Sequence, residues 1–437
     1  MIIVESLEEL NKVKVLAAGK NIAAIPFYVD HKLHRKLQDL SLLAMKIDAE
    51  IYILPFEHNE CIPLPKEHHI FWGWNYKFVK VPNKKKCWIS VNCEVVDVEG
   101  LEYFATGNIT PESTFYTPLM KRMYSRYHDK RNVNTAIPIM DLEKYFTAYF
   151  DHMAQFEYDL SVDHDAFHNN VVIGFTSRLE GNGLHVDPEK FKKHFPSAYV
   201  SPENMVYTEY NPYTTTGRIT NKFDSVNYAA LNSQDDTRQA FTSRYGDDGI
   251  LINIDYKSFH PLILADLIGY QFAGPVYEEL AAQFYETLTL TAAHIKHAKT
   301  HTMRLLYGED EATAGEFFTQ VYAYRNKLWA DIQQNGFITS PNGRKIYLSR
   351  IEKPTAAKLL NYLIQLREME ITVDRMNMFF SVTPQYPILY TYDSLLFDVP
   401  IDRKNFVLYN ANMLTDGGKY PIRVYTGTNY GEMTEYL

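Results

Sequence analysis

Two aspartates stand in apolar, strand-like runs of this chain, and a helix-like segment separates them. Asp255 lies in the run 249–267 and Asp393 in the run 386–399, with the helix-like segment 292–310 between them. If the fold brings these aspartates together, they can hold two Mg²⁺ ions roughly 4 Å apart, which clamp the attacking and leaving oxygens of a phosphoryl transfer. Lone strand aspartates are otherwise commonly strand-end or turn carboxylates that face water.

The helical segment has one distinctive face. Lys299, Met303 and Tyr307 recur at intervals of four, Lys296 precedes them by about a turn, and Gly308 is a stop signal. In a nucleotidyl transferase, the lysine would neutralise charge on the leaving pyrophosphate and the tyrosine would stack near the incoming base or the template. The same pattern also suits a basic surface helix with Met303 and Tyr307 half-buried.

Further short motifs surround these residues in a definite order. They are TTTGRIT (214–220), SVNYAALN (225–232), RQAF (238–241), INIDYKSF (252–259), the helix that ends in Tyr307 and Gly308, GRKIYL (343–348), NYLIQ (361–365) and LYTYDSLLFDV (389–399). In this order and at this spacing, the chain resembles family A DNA polymerases over roughly residues 170–400.

The resemblance implies a right-hand polymerase that acts on dNTPs and primer-template DNA. Asp255 and Asp393 would be the catalytic residues and would bind two Mg²⁺ ions, with Mn²⁺ able to substitute. The backbone carbonyl of Tyr256 would be a third metal ligand. Lys299 would contact the nucleotide phosphates, and Tyr307 would lie beside the nascent base pair.

The resemblance also implies a set of DNA contacts. Arg218 would reach the primer or the minor-groove side, and Asn361 and Gln365 would contact the template-primer near the active site. Asn227 and Arg344, which lie in two other matching motifs, complete this set. Arginine and amide side chains can donate to the minor-groove acceptors that every base pair presents, so base-pair geometry can be checked without reading sequence.

Two motifs depart from the family pattern. His260 stands where a glutamate usually excludes the ribose 2′-OH; its imidazole, near Tyr307 at the nucleotide, can fill the space but lacks a carboxylate's acceptor strength. The usual His-Asp-Glu is Tyr392-Asp393-Ser394, which resembles the Asp-Ser of single-subunit phage-type RNA polymerases. An RNA polymerase or primer-synthesising enzyme is therefore the first alternative, and a non-catalytic replication scaffold is the second.

The nucleotide-binding helix differs from the family as well. Ile295 occupies the position of an arginine twelve residues before Tyr307, so Lys296 is a candidate substitute in nucleotide binding. Met303, also in the predicted nucleotide site, replaces a usual aromatic residue. We therefore expect the triphosphate to be bound more weakly or in a different geometry.

The first part of the chain has the layout of a 3′–5′ proofreading exonuclease without its carboxylates. The expected Asp-x-Glu falls on Pro26 and Tyr28, and Val79 stands where another aspartate is expected. Residues 1–115 are therefore predicted to be a degenerate, catalytically dead exonuclease-like α/β domain, with an unrelated small α/β domain as the alternative. A rebuilt site would need other carboxylates, of which Asp30, Asp48, Glu57 and Asp97 are nearby.

The region before the polymerase motifs is short. The segment 178–191 resembles the one that precedes the family's thumb, yet TTTGR follows soon after, so 116–200 is predicted to be a helical connector with a reduced thumb. A reduced thumb would bind the duplex weakly and give low processivity, so a processivity or replisome protein is an expected partner. In the stretch 121–131, basic residues are interleaved with tyrosines, a pattern that fits a nucleic-acid surface and a solvated helix face equally well. These residues are Lys121, Arg122, Tyr124, Arg126, Tyr127, Lys130 and Arg131.

The composition of the chain limits its number of domains and its possible partners only broadly. A chain of 437 residues that is 46% hydrophobic can form two or three domains with sizeable cores. The net charge of −9 does not exclude nucleic acid, because polymerases confine positive charge to one cleft. Three cysteines lack metal-ligand spacing and disulfide density, and no signal peptide or membrane-length apolar run is present. We therefore expect a cytoplasmic protein without a membrane partner, in the host cytoplasm if it is viral, as its small size and reduced parts suggest.

Together these patterns predict an α+β, multidomain chain. Residues 201–437 would form an antiparallel palm sheet with helical fingers at about 270–340. The predicted function is proofreading-deficient, template-directed DNA synthesis, in which two-metal chemistry transfers a nucleotide from dNTP to a primer 3′-OH.

Overall fold

The protein forms two compact units, Met1–Ser177 and Arg178–Leu437. The structure, a computed structural model, describes residues 1–30, 33–65, 77–82, 94–106, 133–157, 171–308 and 315–436. The basic and aromatic residues predicted as a nucleic-acid surface, 121–131, lie outside these ranges. Helices and sheets occur in both units, so the mixed, multidomain fold class is confirmed, while the finer domain limits at 115 and 200 stay predictions. None of the helices in the described ranges combines the length and apolar character needed to cross a bilayer.

The first unit contains a six-stranded mixed sheet. Its strands are β1 (Ile2–Ile3), β2 (Asn21–Tyr28), β3 (Leu40–Ile47), β4 (Glu50–Pro55), β5 (Phe78–Val81) and β6 (Glu94–Asp97), in the spatial order β1-β4-β3-β2-β5-β6. The strands β2, β3 and β4 are antiparallel neighbours, whereas β1, β5 and β6 each pair in parallel. The helices in its described residues are α1 (Leu7–Ala17), α2 (Val98–Thr106), α3 (Ile139–Ala154) and α4 (Ile173–Asn182), the last of which contains the limit between the units.

Helices cover both faces of this sheet. On β3, Leu43 and Met45 share an apolar cluster with α1, whereas Leu42 and Ala44 share one with α3. Successive residues of a strand point to opposite faces, so a strand covered on both sides must be apolar at nearly every position. This explains the continuous apolar character of β3.

The second unit is built around a five-stranded antiparallel sheet. The strands of this sheet are β11 (Gly249–Tyr256), β14 (Pro387–Tyr390), β15 (Ser394–Pro400), β16 (Ile422–Gly427) and β17 (Thr434–Glu435). Three two-stranded ribbons pair β7 (Leu184–His185) with β8 (Met205–Val206), β9 (Tyr210–Asn211) with β10 (Thr220–Asn221), and β12 (Phe337–Thr339) with β13 (Lys345–Tyr347). The main sheet has the order β14-β15-β11-β16-β17, which places β11 at its centre. The helices are α5 (Pro188–His194), α6 (Phe259–Ile268), α7 (Val276–Tyr285), α8 (Ala292–Tyr307), α9 (Gly315–Asn335), α10 (Ala356–Val382) and α11 (Lys404–Asn410).

The helix predicted within 292–310, with Gly308 as its stop, is confirmed as α8. Thr291 caps its start, because the threonine hydroxyl accepts a hydrogen bond from the N–H of His294 at 3.2 Å. Gly308 follows the last helical residue at a φ of 132°, a backbone conformation that glycine adopts readily. The helix packs against α7 and α10. Its buried stripe consists of Ala298, Thr302, Leu305 and Leu306.

Candidate active site

Strand pairing in the second unit places the two predicted catalytic aspartates next to each other. The strands β11 and β15 are antiparallel, with Asp255 directly opposite Ser394. The residue after Asp255, Tyr256, donates its N–H to the backbone carbonyl of Asp393 at 3.0 Å. The backbone therefore holds the two sequence-distant aspartates at one end of the central strands.

A tight turn between β14 and β15 orients Asp393. The N–H of Thr391 donates to the carbonyl of Ser394 at 3.0 Å, and the two hydroxyl oxygens lie 2.6 Å apart. Tyr392 has a φ of 71°, a left-handed conformation that costs a non-glycine residue about 1–3 kcal/mol. The Arg218 guanidinium carbon lies 3.7 Å from the centre of the Tyr392 ring, a cation–π contact that helps to hold the turn.

These aspartates line a cavity of about 260 Å³ together with residues from the helices of the same unit. The face of α8 that carries Lys299, Met303 and Tyr307 thus meets the strand ends that carry the two aspartates. The predicted site residues in the cavity wall are Arg218, Asp255, Tyr256, His260, Lys299, Met303, Tyr307 and Asp393.

The two carboxylates lie in an environment that disfavours their ionisation. Burial, together with the Asp393 carboxylate, raises the pKa of Asp255 to about 7, although Arg423 and Lys299 act in the opposite direction. Burial also raises the pKa of Asp393, and the nearby Glu368 carboxylate adds to this effect. A divalent cation would relieve the repulsion between these carboxylates and favour their charged forms.

The available ligands fit Mg²⁺. Asp255 and Asp393 provide the hard carboxylate oxygens that Mg²⁺ prefers. Among the described residues, no group of three or more histidine, cysteine, aspartate or glutamate side chains forms a metal cluster. This does not conflict with Mg²⁺, which is usually bound through one or two carboxylates, with water and substrate phosphates as its other ligands.

A buried glutamate that the sequence prediction missed connects the two sides of the cavity. Glu368 on α10 is fully buried and pairs with Arg218, with Nε 2.8 Å from Oε2 and Nη2 donating to Oε1 at 3.0 Å. His260 Nε2 lies 3.1 Å from Glu368 Oε1, and the Tyr307 hydroxyl lies 3.1 Å from His260 Nδ1. With a proton on Nε2, that nitrogen would donate to Glu368, and an unprotonated Nδ1 would accept from the Tyr307 hydroxyl.

Helix periodicity could have identified Glu368 from the sequence. It follows Asn361 by seven residues and Gln365 by three, so all three share one face of α10. Lys257, which also lines the cavity, directly follows the motif strand at Asp255 but belonged to no predicted contact. Arg423 had no local signal, because its place in the wall depends on strand pairing.

Several other predicted contact residues lie outside this cavity wall. Asn361 and Gln365 hydrogen-bond to each other, with Gln365 Nε2 donating to Asn361 Oδ1 at 2.9 Å. Asn227 is exposed and immediately precedes a 3₁₀ turn. Arg344 is 5% exposed, so it would need a local rearrangement to reach DNA. Lys296 does not line the cavity, and the roles of all five residues stay predictions.

Comparison with known proteins identifies the fold. No family model matches this chain, and no curated protein matches it. Among solved structures, the chain is similar to the POL domain of Pol1 from M. smegmatis, determined in complex with DNA primer-template and dNTP. The TM-score is 0.68 at 13% sequence identity, and the match covers 99% of each chain. At this identity the similarity establishes the fold alone, since one fold can support many functions.

Proposed function

We propose that this protein is a template-directed DNA polymerase. The primer 3′ oxygen attacks the α-phosphorus of a dNTP, the bond to the bridging β-phosphate oxygen breaks, pyrophosphate leaves, and the hydroxyl proton passes to solvent. The observation that supports this most is the meeting of Asp255, Asp393, Lys299 and Tyr307 in one cavity. The fold shared with a Pol1 polymerase domain adds to that support.

Each of these residues has a role that its chemistry allows. Asp255, Asp393 and the backbone carbonyl of Tyr256 would hold two Mg²⁺ ions, or Mn²⁺ in their place. When bound, these ions stabilise the charge that develops on the phosphate and make the primer hydroxyl more acidic. Lys299 neutralises charge on the leaving group, and Tyr307 offers its ring to the incoming base.

Ribonucleotides are the second candidate substrate. His260 contacts Tyr307 at the cavity wall, where the family resemblance leads us to expect a glutamate. The imidazole fills space and so favours dNTP over a nucleotide with a 2′-OH. It also lacks the strong acceptor of a carboxylate, and this favours the RNA polymerase or primer-synthesising alternative. We propose dNTP as the main substrate.

We also propose that the first unit has no proofreading activity. Pro26 and Tyr28 lie on β2, and Val79 on β5 is buried. None of these side chains can bind the metal pair that 3′–5′ hydrolysis requires. A degenerate exonuclease domain and a phage-type enzyme with a reduced thumb form part of the same proposal.

Primer extension tests the proposal. A labelled DNA primer on a DNA template is incubated with Mg²⁺ and either dNTPs or ribonucleotides, and unextended primer is followed for loss of 3′ nucleotides. We expect dNTP-dependent extension without degradation. Asp255→Asn and Asp393→Asn should each lower the rate by about 10³-fold, because the metal clamp is worth several kcal/mol. The exposed Asp402→Asn is the matched control.

The possible outcomes separate the hypotheses. Full activity of either active-site variant would refute the two-metal assignment of Asp255 and Asp393. Ribonucleotide incorporation at a rate comparable to that of dNTPs would favour the RNA polymerase alternative. Tight primer-template binding without any extension would instead support the replication scaffold.

A further inference from the structure

A larger cavity adjoins the active-site cavity. Its volume is about 870 Å³, and the two cavities share four wall residues, Lys257, Ser258, Tyr277 and Arg423. The smaller cavity, at about 260 Å³, is below the roughly 300–1,000 Å³ of ordinary small-molecule sites. A nucleoside triphosphate with its α-phosphate at Asp255 must therefore extend beyond the smaller cavity, and the larger one offers adjoining space.

Both charged residues of the shared wall are cations that belong to the sheet side of the site. Lys257 directly follows β11, and Arg423 lies on β16, opposite Asp255 in the strand register. Arg423 is close enough to Asp255 to favour its charged form. Within the described parts of the chain, neither Lys257 nor Arg423 forms an ion pair within 4 Å. The Arg423 guanidinium hydrogen-bonds to the Tyr425 side chain, which leaves its charge uncompensated by a direct carboxylate contact.

Helix α8 provides no cation to the larger cavity. Its contribution to that wall is Ile295, and Lys296 lines neither cavity. Lys299 lines the smaller cavity, beside the aspartates, and a separate cavity of about 620 Å³ along α8, but not the larger cavity. A phosphate chain that runs from the aspartates into the larger cavity would therefore meet Lys257 and Arg423 rather than a second basic residue of α8.

The start of α6 adds a separate feature that favours an anion at the shared wall. Ser258 is the N-cap residue, with a left-handed backbone at a φ of 50°, and its side chain caps none of the first N–H groups. The first turn of a helix attracts negative charge through these N–H groups and the helix dipole. The same wall thus combines two side-chain cations with an uncapped helix start.

We propose that Lys257 and Arg423 bind the β- and γ-phosphates of the incoming nucleotide and the pyrophosphate that leaves. They would do so in place of an arginine on α8, and pyrophosphate would depart through the larger cavity. An ammonium and a guanidinium fork are both suited to phosphate oxygens. This inference rests on the proposed polymerase function for its substrate, but its anion site can be measured alone.

Calorimetric binding of inorganic pyrophosphate, with Mg²⁺ and without DNA, tests this site. We expect Lys257→Gln and Arg423→Gln each to weaken binding by about tenfold or more, through loss of a charge-assisted hydrogen bond. Arg423→Lys, which keeps the charge, should recover much of the affinity. Lys419→Gln is the matched control, because Lys419 also lines the larger cavity but forms an ion pair with Asp266.

Absence of pyrophosphate binding by the wild-type protein would overturn the inference, as would unchanged affinity in both glutamine variants. Circular dichroism and the thermal midpoint verify that each variant is folded. In primer extension, the glutamine variants should raise the KM for dNTP without changing primer-template affinity. Pyrophosphate binding that depends on Lys257 and Arg423, without any primer extension by the wild-type protein, would refute the polymerase proposal alone. Extension that depends on Asp255, with normal pyrophosphate binding by both variants, would refute the phosphate site alone.

Discussion

The two sheets of this protein differ in what their central strands bury. In the first unit, β2 buries Ile25 and Phe27 and leaves Pro26 and Tyr28 half-buried, and helices cover the sheet on both faces. In the second unit, β11 brings Asp255 to a cavity where Asp393 meets it. Apolar burial stabilises the first sheet, whereas the second keeps carboxylates whose ionisation is disfavoured. Such perturbed carboxylates in a cavity are the better indication of a chemical site.

The largest expected effect on stability lies in the apolar first unit. Phe146 of α3 is fully buried, and its ring meets that of Phe27 edge to face with centroids 5.8 Å apart. Phe146→Ala should lower the free energy of unfolding of this unit by about 3–5 kcal/mol, because burial is lost and a cavity remains. Urea unfolding followed by circular dichroism measures the loss. Met140→Ala, at a 77% exposed position of the same helix, is the control.

The same variant tests the contrast between the units. The KM for dNTP should not change when Phe146 is replaced, because the proposed nucleotide site consists of residues of the second unit. A large rise in KM would break the comparison, since the catalytic cavity would then depend on packing in the first unit.

Replacement of the buried Glu368 should affect both stability and activity. Glu368→Gln leaves Arg218 without its carboxylate, and breaking a buried pair costs about 3 kcal/mol. The change also replaces one carboxylate oxygen with an NH2 donor and leaves a weaker, uncharged acceptor to orient His260 and, through it, Tyr307, so the KM for dNTP should rise. Unfolding and steady-state extension measure the two effects, with the exposed Glu352→Gln as the control.

A double-mutant cycle sharpens this prediction. Because Arg218 and Glu368 contact each other, Arg218→Gln combined with Glu368→Gln should cost less free energy than the sum of the single changes. Strict additivity would contradict a direct coupling. Glu368→Asp, which keeps the charge, should recover part of the lost activity if the carboxylate positions His260.

The smallest expected effect is a pH-dependent destabilisation by Asp255. Its pKa rises from 3.8 to about 7 on folding, so between these pH values the folded protein keeps a proton that the unfolded chain releases. The free energy of unfolding should therefore fall as pH rises through this window. Without divalent metal, Asp255→Asn should be more stable than wild type at about pH 8, by on the order of 1–2 kcal/mol.

Thermal unfolding in a chelating buffer measures this difference. The stability difference should vanish below about pH 3, where the wild-type carboxyl is protonated in both states. Addition of Mg²⁺ in place of the chelator should raise the thermal unfolding midpoint of the wild type more than that of Asp255→Asn. If Asp255→Asn were less stable than wild type at high pH, the claim that burial disfavours the ionised Asp255 carboxylate would be wrong. The control Asp402→Asn should show no pH effect of this kind.

Local patterns were sufficient to predict much of the second unit. The extent of α8 followed from side-chain spacing and from Gly308, because helix ends depend on nearby residues. The strand around Asp255 was also predicted. In contrast, the short ribbons such as β9 with β10 had no clear local signal, since two-residue strands depend on their partners rather than on their own pattern.

By itself, the sequence determined the face of α8 with Lys299 and Tyr307 and the strand ends with Asp255 and Asp393, because periodicity and end signals are local. Only the tertiary structure decided that Glu368 connects Arg218 to His260, and that Arg423 lies opposite Asp255. These contacts depend on how α10 packs and on the register between β11 and β16. A shift of one residue in that register would turn every side chain of a strand to the other face, and no local propensity specifies it.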